Sequence, residues 1–115
     1  MISPGEVFMA DFGGAGPHPI IVISREGLNR GNYVLSVPCT SARFAFRSNL
    51  PNCVPFNAGE FGLTVDCVAQ CENLLSIDKS QIDLTVGPIG VLDDVRLREV
   101  IKAIGYVIDS DCEPT

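Results

Sequence analysis

Gly13-Gly14-Ala15-Gly16-Pro17-His18-Pro19-Ile20-Ile21-Val22-Ile23 is the stretch on which the fold turns. Three glycines and two prolines in its first seven residues make a loop. Four β-branched residues follow with no polar break, as expected of a strand buried in the middle of a sheet. His18 stands between the two prolines, and a residue before proline is biased to an extended backbone.

On either side of this stretch the pattern stays mostly β. Residues 6–12 mix β-formers with a polar rim and predict a first strand. Residues 27–32, with Gly27, Asn29 and Gly31, have turn chemistry. A third strand is expected over residues 33–37, stopped by Pro38. Residues 41–60 alternate polar and aromatic side chains and then break at Pro51 and Pro55, predicting a hairpin-like, partly exposed and mobile excursion. Strands are expected again over 64–70 and 73–77, and Gly87-Pro88-Ile89-Gly90 predicts a tight corner. The last element reads as a helix. Leu97, Val100, Ile101, Ile104, Val107 and Ile108 recur at helical spacing, and Asp93 or Asp94 can cap its start. Five or six strands followed by one helix give an α+β class, mainly β, as one domain over residues 1–115.

Composition narrows the function classes. The chain has 115 residues, 46% hydrophobic and 19% charged, which excludes a disordered or low-complexity protein. No apolar run reaches the roughly 18 residues of a membrane span. Met1-Ile2-Ser3-Pro4-Gly5-Glu6 has neither a basic nor an apolar leader character, so a cytoplasmic location is expected. Cys39, Cys53, Cys67, Cys71 and Cys112 are odd in number and poorly spaced for zinc, so no metal and no cofactor are expected. They read as buried small hydrophobes. Net charge is −6, yet residues 25–47 carry Arg25, Arg30, Arg43 and Arg47 against Glu26 alone. Such a local basic patch can hold phosphates on an acidic protein.

The ordered set of segments resembles the MazF/PemK family of toxin ribonucleases from toxin–antitoxin systems. The segments are Pro4-Gly5-Glu6-Val7, Ala15-Gly16-Pro17-His18-Pro19-Ile20-Ile21-Val22-Ile23-Ser24, Val37-Pro38-Cys39-Thr40-Ser41, Gly62-Leu63-Thr64-Val65-Asp66-Cys67-Val68, Glu72-Asn73-Leu74-Leu75-Ser76-Ile77-Asp78-Lys79 and Ile89-Gly90-Val91-Leu92. The resemblance implies a small SH3-like antiparallel barrel with a C-terminal helix. It also implies a homodimer that cuts single-stranded RNA selectively at short sequences, and a cognate antitoxin that blocks the groove with an acidic segment. The family pattern carries a loop Arg before the Pro of its second strand and a Thr at the end of its third. Thr40 matches the Thr; His18 stands where the Arg would be. The family's first loop is usually longer, and here it is shortened to Phe12-Gly13-Gly14.

The chemistry implied is metal-free transesterification to a 2′,3′-cyclic phosphate and a 5′-OH. It needs a base for the ribose 2′-OH, a donor to the phosphate oxygens and an acid for the leaving oxygen. Histidine can act as base or acid near neutral pH, but lacks the permanent charge and bidentate fork of arginine. His18 and Thr40 are therefore the expected catalytic residues. Arg25, Arg43, Phe44, Phe46 and Arg47 are the expected RNA contacts, the phenylalanines stacking bases and the arginines holding phosphates. Strand-like alternation would put Phe44 and Phe46 on one face and the two arginines on the other, in which case a phenylalanine face could instead pack on the barrel. The alternative function is a catalytically weak or inert binding module of the same fold that binds an antitoxin or a protein target.

Overall fold

The structure is a computed structural model, and it describes residues 1–11, 14 and 16–109. Phe12, Gly13 and Ala15 of the first loop, and Cys112, lie outside the described residues. Seven strands and two α-helices follow in the order β1 (Glu6–Ala10), β2 (His18–Val22), β3 (Tyr33–Thr40), α1 (Phe44–Arg47), β4 (Cys53–Phe56), β5 (Cys67–Gln70), β6 (Leu75–Asp78), β7 (Gly90–Val91) and α2 (Asp94–Val107). The strands run β4-β5-β3-β2-β1-β7 across the sheet, with β6 also on β3, and each pairing is antiparallel. This is a curled sheet, half a barrel, with a helix at its C-terminal end.

The apolar run in β2 is buried on both faces, as its composition requires. Ile21 joins Val7, Val37 and Cys39 on the face covered by α2, while Ile20 and Val22 join Phe8, Val34 and Ile77 on the other. Burying each such side chain contributes about 1.5–3 kcal/mol. From α2, Val100 and Ala103 enter the core, with Leu97 and Ile104 packed beside them. The expected apolar stripe is wider than the buried one: Ile101, Val107 and Ile108 are exposed. Asp93 caps the helix, its carboxylate accepting from Arg96 N at 2.8 Å.

Four expectations are corrected. The third strand does not stop at Pro38 but runs to Thr40. Its outer flank is shared by two ladders, β6 pairing with Tyr33–Ser36 and β5 with Cys39–Thr40. Pro38 falls between them, where a missing N–H breaks no ladder bond. The strand expected from Thr64 begins only at Cys67, opposite Phe56 at the end of β4. Beyond that pair, the Asp66 carboxylate accepts from Ala58 N at 2.8 Å, closing a loop instead of a ladder. The strand expected from Asn73 starts at Leu75, because Cys71–Asn73 form a 3-10 turn. Residues 41–60 are no simple hairpin: they hold α1, β4 and the start of a 3-10 turn at Glu60–Gly62.

That turn crosses the Gly87–Gly90 corner at backbone contact. Gly62 has φ +79°, and a Cβ there would lie 2.6 Å from the Ile89 carbonyl carbon. A Cβ on Gly90 would lie 2.9 Å from Phe61 Cα. Only glycine fits at either position.

Candidate functional site

β2 and β3 pair Ile20 with Pro38. His18 and Thr40 each lie two residues beyond that pair, and both line one hollow. His18 pairs with Ala10 on β1, and Thr40 with Val68 on β5. Along this face the side chains of Ile20, Val22, Val34 and Ile77 form an apolar filling. At the His18–Thr40 end the filling stops and a hollow of about 250 Å³ opens. It is lined by His18, Pro38, Cys39, Thr40, Gln70 and Asn73.

His18 also borders a second hollow, of about 400 Å³, with Pro17, Pro19, Leu63, Val65 and Cys67 among its walls. His18 therefore stands between two recesses. The flanking prolines hold the approach to His18 on a restricted backbone. Thr40 Oγ1 accepts from Ala42 N at 3.2 Å, so the hydroxyl proton is the part of Thr40 left to donate to a ligand.

The structure separates the five expected RNA contacts. Arg25 lies beyond the far end of β2, roughly 20 Å along the strand direction from His18. The basic stretch 25–47 is therefore not one patch. Arg43, Phe44, Phe46 and Arg47 follow Thr40 closely, but in a helix. Arg47 N donates to Arg43 O and Ser48 N to Phe44 O, both at 2.9 Å. At helical spacing Phe44 and Phe46 point to opposite sides, which corrects the strand-like arrangement. Phe44 is half-buried, while Phe46 is 56% exposed. The Arg43 guanidinium lies 4.7 Å from the Phe46 ring centroid, so cation and ring form one stacked unit.

Four cysteines, Cys39, Cys53, Cys67 and Cys71, are buried and free among the described residues. A hydrogen bond between Cys39 and Cys67 holds the Cys39 thiol well above its ordinary pKa and draws Cys67 below it. Burial pushes the Cys71 thiol up to about 12. Among the described residues, no three His, Cys, Asp or Glu side chains are grouped to hold a metal ion. Among them too, no helix is long and apolar enough to cross a membrane.

Two polar residues of the His18–Thr40 hollow, Gln70 and Asn73, were not singled out from sequence. Gln70 reads there as the solvent side of an alternating strand and Asn73 as the start of the next. Only the pairing of β5 with β3 carries them to Thr40.

A curled antiparallel sheet closed by a C-terminal helix, with a recess at the β2–β3 end, defines a small class of folds. The sequence matches the family described as PemK-like, MazF-like toxin of type II toxin-antitoxin system over residues 3–108, and the chain belongs to that family. No curated protein sequence gives a significant match. Among solved structures, the chain is similar to the Mycobacterium tuberculosis toxin MazF-mt6, with 22% identity and TM-score 0.75, covering 90% of this chain and 96% of that one. It is similar also to an endoribonuclease in complex with its cognate antitoxin from a Mycobacterial species, with 18% identity and TM-score 0.77, covering 95% and 96%. A third is a MazE-MazF structure from Deinococcus radiodurans, with 19% identity and TM-score 0.74, covering 94% and 96%. At these identities the likeness is one of fold.

Proposed function

We propose that this chain is a metal-free endoribonuclease that cuts single-stranded RNA to a 2′,3′-cyclic phosphate and a 5′-OH, and that a cognate antitoxin holds it in check. The observation that supports the reading is that His18 and Thr40 line the same hollow. In the reaction, the imidazole of His18 takes the proton of the ribose 2′-OH. The O2′ so freed bonds to phosphorus, the P–O5′ bond breaks, and O5′ leaves with a proton from water. Thr40 donates its hydroxyl proton to a non-bridging phosphate oxygen as charge gathers there. Arg43 and Arg47 supply positive charge along the RNA beyond Thr40, and Phe46 a stacking surface. The antitoxin's acidic segment competes for the same charges. The chain acts in the cytoplasm as a single toxin-like domain over residues 1–115, paired as a homodimer.

Net charge of −6 favours a second reading, an inert binding relative, since RNA prefers a positive groove. Incubation with a long single-stranded RNA in EDTA, with mapping of the new ends, separates the two. Cyclic-phosphate ends that disappear in His18→Ala, with the rate down about 10²–10⁴-fold as for loss of a general base, support the ribonuclease. Removing one donor in Thr40→Ala costs about 10²–10³-fold. Absence of cutting by the native chain, or cutting by both variants at the native rate, refutes it.

A further inference from the structure

Cys39 and Cys67 sit on neighbouring strands beside the site and have no part in the reaction above. Cys39 pairs with Ala69, and Cys67 lies two residues back along β5, so both side chains leave the same face of the ladder. They are diagonal neighbours, and their thiols share a hydrogen bond. Each is only 2% exposed, yet both line the hollow of about 400 Å³ that also touches His18. A water molecule takes up about 30 Å³ in the liquid, so a solute little larger than water fits beside the two sulfurs.

The two thiols are not equivalent. The hydrogen bond from Cys39 steadies a thiolate on Cys67 and draws its pKa down. The same bond, then burial, then the charge on Cys67 hold Cys39 protonated. The pair thus offers one nucleophilic sulfur with a second thiol in contact, as in cysteines that respond to oxidants. Cys53 and Cys71 differ: burial raises both, and neither is among the walls of this hollow.

We propose that Cys39 and Cys67 are a modification site at which a hydroperoxide closes a reversible disulfide, and that this bond slows RNA cutting by displacing Thr40. The disulfide itself stands apart from the endoribonuclease reading, while the slowing rests on it. With hydrogen peroxide, the Cys67 thiolate bonds to one peroxide oxygen and the O–O bond breaks. The hydroxide that leaves takes up the proton Cys67 had released and becomes water. Cys67 now bears a sulfenic acid. The Cys39 sulfur bonds to the Cys67 sulfur, the S–O bond breaks, and the oxygen departs with the Cys39 proton as a second water. Two thiols and one peroxide give one disulfide and two waters, the sulfurs supplying both electrons.

Diagonal neighbours in an antiparallel pair are about 7–8 Å apart at Cα, whereas disulfide-bonded residues usually lie about 4.4–6.8 Å apart. Closing the bond therefore draws the end of β3 toward the start of β5 by roughly 1 Å. Thr40 follows Cys39 directly and moves with it. A displacement of that size costs about 10²-fold in rate. A disulfide closed under strain is also readily reduced, which makes the change reversible.

The test treats the native chain, Cys39→Ala, Cys67→Ala and Cys53→Ala with hydrogen peroxide in EDTA. Intact mass, peptide mapping and RNA cutting are read on the same samples, each protein against its own untreated rate. The native chain is expected to lose two hydrogen atoms and to yield linked peptides containing Cys39 and Cys67. Its cutting is expected to fall about 10²-fold and to return with dithiothreitol. Cys53→Ala is expected to respond as the native chain does. Cys39→Ala is expected to stop at a sulfenic acid on Cys67, trapped by dimedone, and Cys67→Ala to leave Cys39 unoxidised. Absence of the Cys39–Cys67 link, a link to another cysteine in its place, or a linked chain that cuts as fast as the reduced one overturns the proposal and leaves the ribonuclease intact. A native chain that forms the reducible link but cuts RNA in neither state overturns the ribonuclease and keeps the modification site. Neither link nor cutting overturns both.

Discussion

Replacing Gly90 by alanine drives a methyl group into the backbone of the Glu60–Gly62 turn. The new Cβ would meet Phe61 Cα at 2.9 Å, with the Phe61 carbonyl nearer still, and real Cβ atoms essentially never come within 3.0 Å of another atom. The obstacle cannot swing aside. Leu63 N bonds Glu60 O at 2.8 Å and Gly59 N bonds Leu63 O at 2.7 Å, pinning the turn from both ends. An extra methylene forced into a packed interior costs about 1–3 kcal/mol, and an immovable backbone puts this one near the top of that range. Reduced freedom of the unfolded chain offsets about 0.4–1 kcal/mol. The net loss is about 2 kcal/mol, or a fall in Tm of roughly 8–10 °C for a domain this size. Urea titration at one fixed protein concentration measures it. Gly31→Ala serves as the control, because its Cβ meets nothing within 4 Å, and it should stay within about 0.5 kcal/mol of the native chain. Equal stability of the two variants would show that the crossing is not the fixed contact described. Gly62 and Leu63 also line the apolar hollow beside His18. Gly90→Ala should therefore slow RNA cutting even at temperatures where it is fully folded.

Three further outcomes are expected. Arg43→Ala and Arg47→Ala should each flatten the salt dependence of RNA binding by about 0.7 in log–log slope, while Arg25→Ala should leave it unchanged; equal slopes for all three would reunite the basic stretch. Arg96 donates to Pro55 O and, at 2.9 Å, to Glu99 Oε2, and its guanidinium lies 4.4 Å from the Phe56 ring centroid. Arg96→Lys keeps the charge but loses the planar stack and the fork, and chemical denaturation should record a loss of about 1–2 kcal/mol. Between pH 9 and about 12 an unfolded chain loses the Cys71 proton that the folded chain keeps, so this thiol makes stability fall as pH rises. The slope of unfolding free energy against pH over that window should be shallower in Cys71→Ala, and an identical slope would remove the buried thiol as its cause.

Local patterns made much of the fold legible. The unbroken apolar run of β2, the loop before it and the capped helix at the end each follow from side-chain chemistry within a few residues. What misled was long-range pairing. Pro38 reads as a strand stop because a sequence does not show that its partners change there from β6 to β5. Phe44 and Phe46 alternate with polar neighbours, as strand residues do, yet Arg43 enters at φ 53° and the next four residues close a single helical turn. At the site, His18 and Thr40 could be named from the order of motifs. Gln70 could not, because nothing near it in sequence says that β5 folds back along β3.

β3 has one further consequence, for the order of synthesis. Its neighbours β2, β5 and β6 span residues 18 to 78, and none of the three can complete its ladder until residues 33–40 are in place. The helix that covers Val7, Ile21 and Val37 comes last, from Asp94 onward. A nascent chain that has emerged only as far as β7 carries Thr40 and Gln70 on a sheet whose other face is bare. The recess lined by His18, Thr40, Gln70 and Asn73 therefore rests on a half-packed sheet until that helix docks.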